Sequence, residues 1–185
     1  RAGSGNQDGI GAVDFSNATS VTINVNRLDL GQAEIAGGAG TFGTLQLSNV
    51  GTNTITADGI EVGDSPSDGN TGVTSSIIFG TMANVVMTDA LEVGGRKAIG
   101  TATIGAGGTL TVSGKTSASA ILRIGYNDVN TGTNNVGTFD MTGGTFNATL
   151  SQLIVAQHNQ GAGSADGPLT WSAGTVTADS VVIAN

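Results

Sequence analysis

The sequence predicts an all-β chain wound into a parallel β-solenoid, a single domain over residues 1–185, with about six coils of 28–32 residues and three short strands per coil. Three observations predict it. A short signature, two apolar residues flanking one other and followed by a small residue, recurs at near-constant spacing. Stretches with apolar residues two apart precede it in the same order each time, and corners of Gly, Asn, Asp and Ser separate them. Helical periodicity persists nowhere long enough to compete.

The signature reads Leu28-Asp29-Leu30-Gly31, Ile60-Glu61-Val62-Gly63, Leu91-Glu92-Val93-Gly94, Leu122-Arg123-Ile124-Gly125, Leu153-Ile154-Val155-Ala156 and Val181-Val182-Ile183-Ala184. Side chains two apart on a strand share a face. The pairs are therefore predicted to point inward and to stack as two ladders: Leu30, Val62, Val93, Ile124, Val155 and Ile183 in one, Leu28, Ile60, Leu91, Leu122, Leu153 and Val181 in the other.

Upstream of these anchors stands a first strand: GAVDFSN (residues 11–17), GTLQLSN (43–49), GTLTVSG (108–114), GTFDMTG (137–143) and GPLTWSA (167–173). A second follows in VTINV (21–25), NTITAD (53–58), TFNATL (145–150) and TVTAD (175–179). Residues 75–87 fit less well, and the pattern does not fix their register. No unit of this size buries its apolar row alone, whereas stacked copies share one interior. With 31 Gly and 4% aromatic residues, that interior is expected to be thin and aliphatic.

The charge excludes some partners. A formal net charge of −8 repels phosphate backbones and anionic lipid, and no basic cluster offsets it, so nucleic acid is not an expected partner. Apolar runs are too short to span a bilayer, and no membrane insertion is expected. The absence of Cys leaves stability to stacking alone.

The two ends share a phase. Val182 to Asn185 followed by Arg1 to Gly9 would mimic residues 154–167, and neither end shows a capping helix or a shift to charged residues. The expectation is end-to-end continuation, by the same polypeptide or by copies of it, through Val13, Phe15, Ile23, Leu169, Trp171 and Val176. The expected partner is thus the protein itself, with surface glycans as a further possibility.

Few residues offer chemistry. Asp29, Glu61 and Glu92 hold the outward position of the anchor strand, with Arg123 next in line. Such a row reads either as a solvated stripe relieved by Arg123 or as carboxylates close enough to raise a pKa or hold a cation. Of the six basic residues (Arg1, Arg27, Arg96, Lys97, Lys115 and Arg123), only Arg123 is expected to line up with it. Asp64, Asp68 and Asn70, in a glycine-rich loop, carry oxygens of the kind Ca²⁺ takes, although their spacing matches no calcium loop; no cofactor is expected beyond that ion. His158 stands alone in a polar loop, and no nucleophile elbow or phosphate loop is present. Trp171 is expected in the interior or as a plug at one end, and Tyr126 at the surface. The pairs Thr22/Asn24, Thr54/Thr56, Asn147/Thr149 and Thr175/Thr177 make a partial T-x-T ladder, interrupted by Val85/Met87 and Thr116/Ala118, of a kind that orders water. No catalytic residue is predicted, and the chain is not expected to be an enzyme.

GTFDMTGGTFNATLSQLIVA (137–156) and GPLTWSAGTVTADSVVIAN (167–185) resemble the G-T-[aromatic or Leu]-x-[apolar]-[ST]-G-G-T repeats of large secreted bacterial surface proteins, the autotransporter-associated β-strand repeats and the similar repeats of PEP-CTERM-sorted proteins. The resemblance covers essentially the whole chain, most strongly from Gly108 onward. It implies a right-handed parallel β-helix at the bacterial cell surface or outside the cell, in fibre, adhesin-stalk or matrix roles, usually without catalytic residues. Alternatives are a glycan-, Ca²⁺- or ice-binding surface and, behind these, a polysaccharide-degrading β-helix.

Overall fold

The computed structural model describes residues 9–32, 41–65, 74–129, 134–160 and 163–184, and every regular element among them is a strand. In chain order these are β1 (Gly9–Asp14), β2 (Val21–Asn24), β3 (Arg27–Gln32), β4 (Thr41–Gln46), β5 (Asn53–Asp64), β6 (Thr74–Phe79), β7 (Ala83–Gly95), β8 (Ile99–Ile104), β9 (Thr109–Ser113), β10 (Ala120–Asn127), β11 (Asn135–His158), β12 (Ala165–Asp166), β13 (Leu169–Ala173) and β14 (Val176–Ile183). The junction of the two chain ends, and Asp68 and Asn70, lie outside the described residues.

The pairings are all parallel and sort into three stacks. One runs β1, β4, β6, β8, β11, β13. The second runs β2, β5, β7, β9, β11, β14. The third runs β3, β5, β7, β10, β11, β14. Among the described residues each stack is six strands deep, so the chain makes about five turns between its first rung and its last. The longer strands bend at corners and serve more than one stack; β11 passes through all three. This is the parallel β-solenoid predicted from the repeat.

In the third stack Leu30, Val62, Val93, Ile124, Val155 and Ile183 stand opposite one another rung by rung, as do Leu28, Ile60, Leu91, Leu122, Leu153 and Val181. The small residue after each anchor has a backbone reason. Gly94 takes φ +71, the left-handed region, and turns the chain toward the next rung's first strand. It lies against Val136 and Gly137 of β11, one rung beyond β8, so close that an added Cβ would come within 2.1 Å of the Val136 carbonyl oxygen. Ala156 and Ala184 hold the same place in the last two rungs at φ 55 and 51. A left-handed alanine is strained by about 1–2 kcal/mol. Ala156→Gly is therefore expected to leave the thermal midpoint unchanged or to raise it by a few degrees, the relief of strain offsetting glycine's extra chain entropy; differential scanning calorimetry checks this.

Two sequence expectations are corrected. GTLTVSG is not the first strand of its coil: as β9 it lies in the second stack, with Thr109 opposite both Ala83 and Thr145. The first-stack place belongs to β8, whose Gly100-Thr101 pairs with Gly137-Thr138. Only Arg96, Lys97 and Ala98 separate β7 from β8, and a loop over residues 114–119 separates β9 from β10. That loop folds back over earlier corners: Lys115 Nζ meets Asp58 Oδ1 at 2.5 Å, and the Thr116 N–H and hydroxyl both donate to Asp89 Oδ1 at 2.9 Å. Thr116 and Ala118 are thus loop residues, and the rung's outward pair is Thr111/Ser113, opposite Val85/Met87. The open register of residues 75–87 resolves as β6 in the first stack and the start of β7 in the second.

The interior is aliphatic with a few rings. Leu45, Leu47, Ile77, Leu110, Met141 and Leu150 are buried beside Phe79, Phe139 and Phe146, the last two with ring centroids 5.1 Å apart. Two buried amides interrupt it at the corner between first and second strands. Asn53 Nδ2 donates to the Ser48 carbonyl (2.9 Å) and to Asn84 Oδ1 (2.8 Å), and the Ser48 N–H donates to Asn53 Oδ1 (3.0 Å). Asn84 Nδ2 donates to the carbonyls of Gly80, Met82 and Thr109 (2.9, 2.9 and 3.2 Å), and the Gly80 N–H donates back to Asn84 Oδ1 (2.9 Å). The two amides satisfy backbone groups that a sharp corner takes out of the ladder.

Candidate functional site

The densest charged chemistry lies on the outward side of the third stack. Strand period puts Asp29, Glu61, Glu92 and Arg123 in one file, each directly opposite the next. Arg27, two residues before Asp29 and so on the same face, donates from Nε to Asp29 Oδ1 at 2.7 Å and places Nη2 2.5 Å from Glu61 Oε2. Asp64 ends β5 with 1% of its surface exposed, opposite Gly95. Arg96 clamps it through two nitrogens, Nε donating to Oδ1 at 2.7 Å and Nη2 to Oδ2. The left-handed backbone of Arg96 (φ 52), pinned by its N–H donating to the Tyr126 carbonyl at 2.7 Å, lets the side chain reach back to the neighbouring rung.

Glu92 lies between these pairs and is 8% exposed. An added Cβ on Gly95 would fall 2.2 Å from Glu92 Oε1 and 2.8 Å from Asp64 Oδ1, so the two carboxyls converge over the bare glycine. Glu92 has loose cationic company, Arg123 Nη1 at 3.5 Å from Oε2. Arg123 in turn lies over the Tyr126 ring, 5.0 Å from its centroid, and its Nε has no hydrogen-bond partner.

The electrostatics follow from that geometry. Burial, reinforced by the nearby Asp64, pushes the Glu92 carboxyl up to about 8. Burial and Asp64 push Glu61 up to about 7, against the pull of Arg27. Four acids and three arginines thus share one strip, and two of the acids take up or release protons near neutrality. The strip is well suited to holding protons. Glu92 and Asp64 are sealed beneath their arginines, while Glu61 keeps part of its side chain exposed.

The structure brings together more than the sequence pattern indicated. Arg27 and Arg96 join Arg123 at the acidic row, which corrects the expectation that Arg123 alone would do so. Asp64 belongs to this strip, both oxygens taken by Arg96, and not to an open calcium loop. Among the described residues no group of three His, Cys, Asp or Glu side chains is placed to hold a metal ion. His158 closes β11 opposite Asn127, with Nε2 buried and without a partner. The i−2 spacing of Arg27 from Asp29 was a readable signal, whereas nothing in the sequence marks the backbone turn that aims Arg96.

The outward face of the second stack carries the file Thr22, Thr54, Val85, Thr111 and Asn147. With the register corrected, the interruption of this file of hydroxyls and amide is Val85.

At the last rung Leu169, Trp171, Val176, Val181 and Ile183 line an apolar hollow of about 530 Å³ over Leu153 and Val155. Trp171 is 42% exposed, packed edge-on to Phe146 at 6.5 Å. The first rung likewise exposes Val13 and Phe15. No described helix is long and apolar enough to cross a membrane. Comparisons with protein-family models, with curated proteins and with solved structures find no match to this chain.

Proposed function

We propose that the chain is a structural solenoid segment acting outside the bacterial cell, part of a surface fibre, adhesin stalk or matrix filament whose useful properties are length and stiffness. One observation carries the reading: apolar files run unbroken from the first rung to the last, as in Val13, Leu45, Ile77, Ala102, Phe139 and Leu169. A further rung, from the same polypeptide or from another copy, would meet the file at either end with the residues already used between rungs. Val13, Phe15 and Ile23 would serve one side of that contact and Leu169, Trp171 and Val176 the other. Surface glycans would meet the outward hydroxyl files. The placement outside the cell comes from the resemblance of the repeats to bacterial surface proteins.

Electron microscopy and fibre diffraction of the native assembly test the proposal. The expected result is thin filaments with a meridional spacing of about 4.8 Å and, where copies stack, an axial repeat of about 29 Å for six rungs. Compact, monodisperse particles at every concentration would contradict it.

A further inference from the structure

We propose that the Glu61–Asp64–Glu92 carboxyl cluster is a proton-operated seam: it lets the β5 and β7 rungs stack while Glu61 and Glu92 hold protons, and it loosens that stack when those protons are lost. The geometry argues this first. Glu61 and Glu92 stand directly opposite across one strand spacing, where two like charges repel. Glu92 and Asp64 converge over Gly95 from neighbouring rungs, and the charge of Asp64 also acts on Glu61, whose Oε2 is buried without a hydrogen-bond partner.

The groups facing the seam come from every element packed around it. From β3 come Arg27 and Asp29; from β5, Glu61 and Asp64; from β7 and the turn after it, Glu92 and Arg96; from β10, Arg123 and Tyr126, with Asp128 just beyond. Arg27 divides itself between Asp29 and Glu61, Arg96 is taken by Asp64, and Arg123 stands off at 3.5 Å from Glu92. Among the described residues Arg123 is the cation paired with Glu92, and its pull offsets only part of the burial that holds the proton there.

The sign follows from linkage. Both glutamates titrate higher in the folded chain, about 7 and about 8 against 4.5 unperturbed. As pH rises past 4.5 the unfolded chain releases these protons and the folded chain keeps them, so stability falls with rising pH up to about 8 and levels off above it.

The chain contains three glutamates, which makes the test direct. Glutamate labelled with ¹³C at the carboxyl is incorporated into the full chain, and the carboxyl shifts are followed by NMR from pH 4 to 10. Two of the three signals are expected to titrate above pH 6, and Glu92→Gln is expected to remove the higher one. Thermal unfolding is measured alongside. The wild-type midpoint is expected to drop by more than about 5 °C between pH 5 and pH 9, and Glu92→Gln to abolish most of that drop. Three signals titrating below pH 5.5, or a Glu92→Gln chain whose midpoint falls with pH as far as the wild type's, would overturn the proposal.

Discussion

Asn84→Leu is expected to lower stability by about 4 kcal/mol, because leucine fills the space and leaves the corner's backbone unpaired. The amide serves the Gly80 N–H, the carbonyls of Gly80, Met82 and Thr109, and Asn53 Nδ2, all inside the stack. The Gly80 N–H and carbonyl and Asn53 Nδ2 are buried, so each of these carries the full penalty of an unmatched polar group. Urea unfolding followed by circular dichroism measures the loss. The double variant Asn53→Leu with Asn84→Leu supplies the control. Since the two amides hydrogen-bond each other, the pair should lose less than the sum of the single changes. Strict additivity would mean that the two corners are independent.

Gly94→Ala should be comparably severe for a different reason. The left-handed φ of +71 strains any side chain, and the new Cβ would meet the Val136 carbonyl oxygen at 2.1 Å and Gly137 Cα at 2.5 Å, all of it backbone that cannot swing aside. The rungs on either side must part, at a cost of about 4 kcal/mol or more. Gly59→Ala is the matched comparison: it lies on a corner of the same solenoid, with no left-handed φ and nothing within 4 Å of an added Cβ. It should be neutral or stabilising by up to about 1 kcal/mol. Calorimetric midpoints of the two variants should therefore move in opposite directions or differ by many degrees. Equal losses would refute the account of why the anchors end in glycine.

These two residues also show what was readable in the chain. The anchors were legible because each combines two inward positions with a small residue that a tight crossing requires, and the combination repeats six times. The first strand of the fourth rung was not legible. Gly100-Thr101 and Gly108-Thr109 both open a stretch with apolar residues two apart, and only the partners above and below decide which stack each enters. The buried role of Asn84 was hidden for a related reason, since asparagine near a glycine reads as an exposed corner residue until the corner is known to be closed. In the charged strip, the file of Asp29, Glu61 and Glu92 follows from strand period. The arrival of Arg96 depends on a single backbone turn, and its consequence, Glu92 sealed with Asp64, depends on contacts between rungs.

The stacking itself is open to direct measurement. The chain has no cysteine, so two introduced ones carry the only spin labels. Labels at Thr22 and Asn147 stand four rungs apart in one outward file, and labels at Thr54 and Asn147 stand three apart. Electron paramagnetic resonance should give narrow distances between label-bearing backbones of about 19 Å and about 14 Å, differing by one strand spacing although the sequence separations differ by 32 residues. Broad distributions, or two distances that fail to step by about 5 Å, would contradict a parallel solenoid with its side chains in file.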